Sequence, residues 1–141
     1  MDWDQDGNLD ILSGCYWTDD ADGAHLQILK GKGQLDFAEA ESLRNVAGKP
    51  IQNPATTTTG SSSVDTDLIC TQQHAVDYDD DGDLDLVVGC FGTKFFFFEN
   101  QRKDDGKNAI AENATVLSIQ STSHHAAPHL ADWDNDGDLD L

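Results

Sequence analysis

A nine-residue pattern occurs three times in this chain and constrains its fold more than any other feature. Each copy carries Asp at positions 1, 3, 5 and 9 and Gly at position 6. We name the copies loop 1 (residues 2–10), loop 2 (residues 77–85) and loop 3 (residues 132–140). Alternate residues of a tightly curled loop turn their side chains inward, and Gly takes a sharp bend that a Cβ would obstruct. The pattern therefore predicts three curled loops, each with carboxylates gathered at its centre.

These loops favour a hard divalent cation. Their inward-facing groups are carboxylates, and none of the three loops contains His or Cys. Oxygen ligands of this kind suit Ca²⁺ better than zinc or copper. The alternative is an Asp- and Gly-rich surface turn that holds no metal. The intact spacing in all three copies favours Ca²⁺ as the cofactor.

The acidity of the chain is concentrated in the loops. The chain has 27 acidic and 8 basic residues, a formal net charge of −19, and more than half of the acidic residues lie in the three loops. Empty loops of this charge repel themselves, so we expect folding to be coupled to cation binding. The few basic residues are scattered and form no stripe, which argues against a nucleic-acid partner. No apolar run is long enough to predict a membrane span.

The segments between the loops show the pattern of short strands. Residues 25–29 alternate polar and apolar side chains, and residues 94–99 contain four consecutive Phe that suit a strand buried on both faces. Each interval holds about four such strands and no convincing amphipathic helix. A four-stranded antiparallel unit per repeat is the unit of a β-propeller blade. We therefore predict an all-β fold, a β-propeller fragment of about two four-stranded antiparallel blades plus part of a third.

The predicted repeats follow the loops. Residues 1–76 form the first repeat, with a Thr/Ser-rich insertion near residues 50–66, residues 77–131 form the second, and residues 132–141 begin a truncated third. Because the chain starts and stops inside copies of the loop, we expect an excerpt from a longer repeat array. The lack of a signal peptide is then uninformative.

Residues after the loop separate the calcium-binding families that share its opening. An EF-hand needs Glu at position 12 and a following helix, but position 12 is Ser13 or Val88 and strand residues follow. A dockerin fails for the same reason. Thrombospondin type 3 repeats continue with further Asp after position 9, and RTX repeats need a tandem Gly-rich nonapeptide. Neither feature is present.

Loop 2 and the Leu-Val-Val-Gly run at residues 86–89 resemble the FG-GAP/VCBS repeat, which occurs in integrin α-subunit propellers and in many secreted bacterial proteins. The resemblance implies a propeller in which each loop joins the first and second strands of a blade. It also implies that side chains at positions 1, 3, 5 and 9 bind Ca²⁺ and that position 7 contributes a backbone carbonyl, so that Asn8 in loop 1 does little harm. The implied metal-binding residues are Asp2, Asp4, Asp6, Asn8, Asp10, Asp77, Asp79, Asp81, Asp83, Asp85, Asp132, Asp134, Asp136, Asp138 and Asp140.

Two further sets of residues leave alternatives open. Cys70, His74, His125 and His129 are spaced four apart in pairs, and neighbouring inner strands could bring them together as a soft-donor metal site. The alternative is that they pack near the channel, hydrogen-bonded to backbone or water. The other set is Cys15 and Cys90, which occupy equivalent repeat positions; we expect buried thiols, with a disulfide as the alternative.

These features predict a calcium-stabilised propeller region that serves as a structural and interaction scaffold, not an enzyme. No nucleophile elbow, phosphate loop or paired-carboxylate site lies outside the loops. The expected location is extracellular, periplasmic or at the cell surface, with Ca²⁺ and a protein or carbohydrate ligand at a propeller face as partners. The alternative function is a carbohydrate-binding or polysaccharide-degrading propeller whose active face lies largely in other blades. The Phe run is then either a sugar-stacking platform or, as we expect, blade core.

Overall fold

The computed structural model of the chain describes residues 1–16, 25–52, 70–102, 108–120 and 125–141. Most of the predicted Thr/Ser-rich insertion lies outside these ranges. The described residues contain strands, turns and bends but no helix, which confirms the all-β prediction. The strands are β1 (Ile11–Gly14), β2 (Leu26–Leu29), β3 (Gly31–Gly33), β4 (Asp36–Phe37), β5 (Glu41–Ser42), β6 (Gln72–Val76), β7 (Asp85–Gly89), β8 (Lys94–Phe98) and β9 (Thr115–Gln120).

All strand pairings within the described sheets are antiparallel. Strands β6, β7, β8 and β9 form one four-stranded sheet in chain order, with Val87 opposite His74 on one side and Phe97 on the other. Strands β1, β2 and β5 form a three-stranded sheet, and β3 pairs with β4. Loop 2 connects β6 to β7, which are the first and second strands of the four-stranded sheet. This sheet has the strand order of a propeller blade.

The four-stranded sheet is packed on both faces. One face contributes Val88 and Phe96 to a cluster with residues of the first repeat, such as Trp3 and Ile28. The opposite face contributes Phe95 to a second cluster with residues that precede loop 3, including Leu130. Side chains of a strand alternate between the two faces of a sheet, so consecutive Phe residues of β8 enter different clusters.

Two glycines at equivalent positions allow the chain that leads towards the next loop to approach closely. A Cβ on Gly14, at the end of β1, would lie 1.9 Å from the carbonyl oxygen of Thr71. A Cβ on Gly89, at the end of β7, would lie 2.0 Å from the carbonyl oxygen of Ala126. The same contact thus joins the strand after each of loops 1 and 2 to the chain that leads towards the next loop. The sheets of the described residues do not close into a ring, as expected of a β-propeller fragment.

Candidate metal centres in the three loops

The three loops share one backbone conformation. The residue at position 4, which is Gln5, Asp80 or Asn135, has a positive φ of 58–60°, and the Gly at position 6 has a φ between 92° and 98°. Such φ values favour Gly at position 6 because a side chain there would be strained. The residue before each loop pairs with position 9, so that both ends of the loop are held together.

Backbone N–H groups inside each loop donate to its own carboxylates. The Gly at position 6 donates to Oδ2 of position 1 at 3.0–3.2 Å in all three loops. The residue at position 7 donates to Oδ1 of position 5 at 2.8–3.0 Å. These bonds curl the chain around the acidic side chains, because each carboxylate accepts from a residue two to five positions later.

The curl brings the carboxylates at positions 1, 3 and 5 together. In every loop one oxygen from each of these three side chains lies within 4.8 Å of the other two. The groups are Asp2, Asp4 and Asp6; Asp77, Asp79 and Asp81; and Asp132, Asp134 and Asp136. The predicted positions 1, 3 and 5 therefore meet in all three copies, whereas position 9 is not part of the group.

Loop 1 contains carboxylate oxygens that lack a protein partner. Oδ1 of Asp2 and Oδ1 of Asp4 are buried and accept no hydrogen bond from the described residues. A buried oxygen of a carboxylate is costly unless a donor or a cation compensates it. The hard oxygen donors and their orphaned atoms fit a Ca²⁺ ion, which would be held by the three clustered carboxylates.

The carboxylate at position 9 accepts from the N–H of position 2 in every loop, and in loops 1 and 2 it also accepts from backbone outside the loop. Asp10 accepts from the N–H of Trp3 at 2.8 Å and from that of Gly31 at 2.8 Å. Asp85 accepts in the same way from Tyr78 at 3.1 Å and from Asn100 at 2.7 Å, and Asp140 accepts from Trp133 at 3.0 Å.

Burial raises the pKa of Asp85 to about 6, although its two backbone hydrogen bonds favour the charged form. A cation nearby would favour the carboxylate. Each carboxylate oxygen of Asp85 keeps a second lone pair that a cation could use. The role of Asp85 as a ligand therefore stays a prediction.

Position 7 differs most between the loops. Asp83 of loop 2 is only 3% exposed, its Oδ2 accepts from the N–H of Arg102 at 2.8 Å, and its Oδ1 has no partner among the described residues. Burial raises the pKa of Asp83, and the nearby carboxylates of Asp81 and Asp79 act in the same direction. Asn8 of loop 1 is half-buried and Asp138 of loop 3 is exposed.

The loops also differ in how far the protein covers them. Trp3, at position 2 of loop 1, is 3% exposed and belongs to the hydrophobic core, whereas Trp133, at the same position of loop 3, is 85% exposed. Lys30 Nζ lies 3.6 Å from Oδ2 of Asp4 and adds a positive charge beside loop 1.

The comparison with protein families agrees with this geometry. Residues 77–141 match the model of the FG-GAP-like repeat. The matched segment is consistent with an FG-GAP/VCBS repeat fragment. The FG-GAP-like match includes loops 2 and 3, and loop 1, which precedes it, repeats their backbone and their group of three carboxylates. No curated protein and no solved structure matches the chain. No helix in the described part of the chain is long and apolar enough to cross a membrane.

The predicted soft-donor metal site does not assemble. His74 lies against His129 with ring centroids 4.4 Å apart, but His125 packs against Phe91 instead. Cys70 is buried, and within the described ranges only the three loops bring three potential metal ligands together. The soft-donor site proposed for Cys70, His74, His125 and His129 is therefore not formed.

Two of the three cysteines and most of the Phe run are buried, but Cys15, which was expected to be a buried thiol, is only half-buried. Cys15, Cys70 and Cys90 are all thiols, so the alternative Cys15–Cys90 disulfide is absent. Phe95, Phe96 and Phe98 are buried, which leaves these rings unavailable for stacking on a sugar.

Sequence reasoning missed Arg102 and Asn100, whose backbone N–H groups hold loop 2. Their role depends on main-chain donors, which no side-chain pattern reports.

Proposed function

We propose that this chain is a calcium-binding β-propeller repeat region that serves as a structural and interaction scaffold rather than as an enzyme. One observation carries the proposal: three loops of the same conformation each place three carboxylates within 4.8 Å of one another. A single acidic cluster is common on protein surfaces. Three copies with the same backbone conformation and the same internal hydrogen bonds are typical of repeated cation-binding loops.

Each loop occupies a position where a bound cation would stabilise a sheet. Loop 2 connects β6 to β7, and its Asp85 lies in the core of the blade and holds the N–H of Asn100 after β8. Bound Ca²⁺ would supply the positive charge that relieves repulsion among the carboxylates. The ordered loop would then hold in place the two strands that it connects.

A location outside the cytosol suits such loops. Calcium modules of extracellular proteins bind at roughly 10⁻⁴–10⁻³ M, a concentration of Ca²⁺ met outside cells. We propose a secreted or cell-surface protein, with a protein or carbohydrate ligand bound at a propeller face.

The test compares two aspartates of loop 2. Asp81 belongs to the group of three carboxylates, whereas its neighbour Asp80 stands at position 4 and lies outside that group. Asp81→Ala should weaken Ca²⁺ binding to loop 2 by tenfold or more, since it removes one negatively charged oxygen ligand. Asp80→Asn also removes one negative charge, and Asn stands at the same position in loop 3, so it should change the affinity much less.

Calorimetric titration with Ca²⁺ measures both variants against the unchanged chain. Equal affinities for Asp81→Ala and the unchanged chain would contradict the proposal. A common loss in both variants would show that only the overall charge of the loop matters.

A further inference from the structure

Loop 1 and loop 2 are adjacent in space and connected by hydrogen bonds, although 66 residues separate residue 10 from residue 77 in the chain. The most direct connection is the side chain of Gln5 at position 4 of loop 1. Its Nε2 donates to the carbonyl oxygen of Gly82, the position-6 residue of loop 2, at 2.8 Å. Each of these residues lies within the curl that gathers the carboxylates of its own loop.

Arg102 connects the two loops a second time. Its backbone N–H donates to Oδ2 of Asp83 in loop 2 at 2.8 Å, and its Nη2 donates to the carbonyl oxygen of Asp4 in loop 1 at 2.9 Å. Asp4 is one of the three clustered carboxylates of loop 1. Arg102 therefore holds the backbone of Asp4 in loop 1 and the side chain of Asp83, at position 7 of loop 2.

A pair of asparagines forms a third connection. Asn100 is 1% exposed, and its N–H and Nδ2 donate to Oδ1 of Asp85 and to the carbonyl oxygen of Leu84. Its Nδ2 also donates to Oδ1 of Asn108 at 3.1 Å, and Nδ2 of Asn108 donates to the carbonyl oxygen of Trp3 at 2.8 Å. The end of loop 2 and the second residue of loop 1 therefore belong to one hydrogen-bonded network.

These three connections have a thermodynamic consequence for cation binding. A cation that orders one loop also orders the groups that the other loop must fix, so the second binding event costs less conformational entropy. Coulomb repulsion between two bound cations acts in the opposite direction and is reduced by salt, since the Debye length is about 8 Å at 0.15 M ionic strength. At that ionic strength we expect the shared ordering to dominate.

We propose that loops 1 and 2 form a coupled pair, in which filling either loop with Ca²⁺ raises the affinity of the other, and that Gln5 and Arg102 are the positioning residues of this coupling. The inference rests on the proposed calcium binding and adds cooperativity to it. No comparable bond joins loop 3 to loop 2 within the described ranges, so loop 3 binds independently of this pair.

The experiment measures the affinity of loop 1 alone. Trp3 is buried within loop 1 and reports its state by fluorescence once Trp17→Phe and Trp133→Phe remove the other two tryptophans. The 141-residue chain with these two changes is titrated with Ca²⁺ at 0.15 M salt, with loop 2 either intact or disabled by Asp79→Ala and Asp81→Ala. Coupling predicts that disabling loop 2 weakens Ca²⁺ binding to loop 1 by about fivefold or more.

Two controls separate coupling from a general loss of charge or structure. Disabling loop 3 with Asp134→Ala and Asp136→Ala removes the same charges and should leave the affinity of loop 1 within about twofold, because no hydrogen bond between described residues joins loop 3 to loop 1 or loop 2. Lys30→Gln removes a positive charge beside Asp4, as Arg102→Gln does, but Lys30 makes no bond to loop 2 within the described ranges. It should preserve the effect of disabling loop 2.

The positioning residues are tested in the same cycle. With Gln5→Ala and Arg102→Gln combined, loop 1 should still bind Ca²⁺, but disabling loop 2 should now change its affinity by less than about twofold. A merely structural role of these residues would lower the affinity of loop 1 and leave the dependence on loop 2 in place.

The outcomes distinguish the inference from the proposed function. If loop 1 binds Ca²⁺ with the same affinity whether or not loop 2 is intact, the coupling is wrong and calcium binding stands. If coupling persists in the combined variant, the assignment of Gln5 and Arg102 is wrong. If neither fluorescence nor calorimetry detects Ca²⁺ binding, the proposed function and the coupling both fail.

Discussion

At the scale of single residues, burial acts on acids and bases in opposite directions. Burial raises the pKa of Asp85 to about 6 and lowers the pKa of His25, because in each case it disfavours the charged form. His25 is 4% exposed and lies just before β2, where its carbonyl oxygen accepts from Oγ1 of Thr71 at 2.7 Å. The imidazole is therefore buried as a neutral group close to Thr71, which directly precedes β6 of the four-stranded sheet.

The lowered pKa of His25 predicts a loss of stability in acid. Below pH 6.5 the unfolded chain protonates this His while the folded chain does not, so the free energy of unfolding falls as the pH falls towards the folded-state pKa. The slope from this one group is at most about 1.4 kcal/mol per pH unit. Denaturant unfolding of the chain and of His25→Gln, at fixed excess Ca²⁺ between pH 7 and pH 5, should give a shallower pH dependence for the variant. Parallel curves would contradict the prediction.

The ligand residues were predictable only in part. The spacing of Asp at alternate positions is enough to place positions 1, 3 and 5 around one centre, because that follows from the curl of the loop. Spacing does not reveal that Asp10 and Asp85 accept hydrogen bonds from Gly31 and Asn100, since these donors come from residues 21 and 15 positions later. Only the folded structure shows that the carboxylate at position 1 joins the group of three, whereas the carboxylate at position 9 accepts hydrogen bonds from distant backbone in loops 1 and 2.

At the scale of secondary structure, β8 shows how one strand joins two interfaces. Phe96 and Phe98 lie in the cluster shared with the first repeat, and Phe95 lies in the cluster beneath the chain that leads to loop 3. Four consecutive aromatic residues predicted a strand buried on both faces, and this is confirmed except that Phe97 remains half-buried. Its ring lies 5.1 Å from that of Tyr78 in loop 2.

Neighbouring Phe residues of β8 should contribute unequally to stability. Phe96 is fully buried, so Phe96→Ala removes a ring from a packed core and should cost about 3–5 kcal/mol. Phe97→Ala is the matched control in the same strand and should cost less, because part of its ring already contacts water. Denaturant unfolding measures both at fixed Ca²⁺. An equal or larger loss for Phe97→Ala would show that the cluster around Val87 and Leu130 is the stronger interface.

At the scale of the whole molecule, the sheets are joined by backbone contacts that sequence patterns do not predict. The Gly that ends β1 and the Gly that ends β7 each admit the backbone of the chain that leads towards the next loop. The four-stranded blade was predictable from the strand pattern and the repeat period, and the resemblance to the FG-GAP/VCBS repeat implied the placement of loop 2 between its first two strands. The bonds that Arg102 and Asn108 make to loop 1 were not, since they join residues about 100 positions apart.

The most direct test of the account is whether Ca²⁺ stabilises this chain through its loops. Thermal unfolding is followed by calorimetry, first in EDTA and then at increasing Ca²⁺, for the chain and for the combined variant Asp6→Ala, Asp81→Ala and Asp136→Ala. At a Ca²⁺ concentration 100 times the Kd, each occupied loop should add about 2.7 kcal/mol to the free energy of unfolding. The unfolding temperature of the chain should rise steadily with Ca²⁺, and the variant should lose most of this rise. An unfolding temperature that does not depend on Ca²⁺ would contradict this expectation.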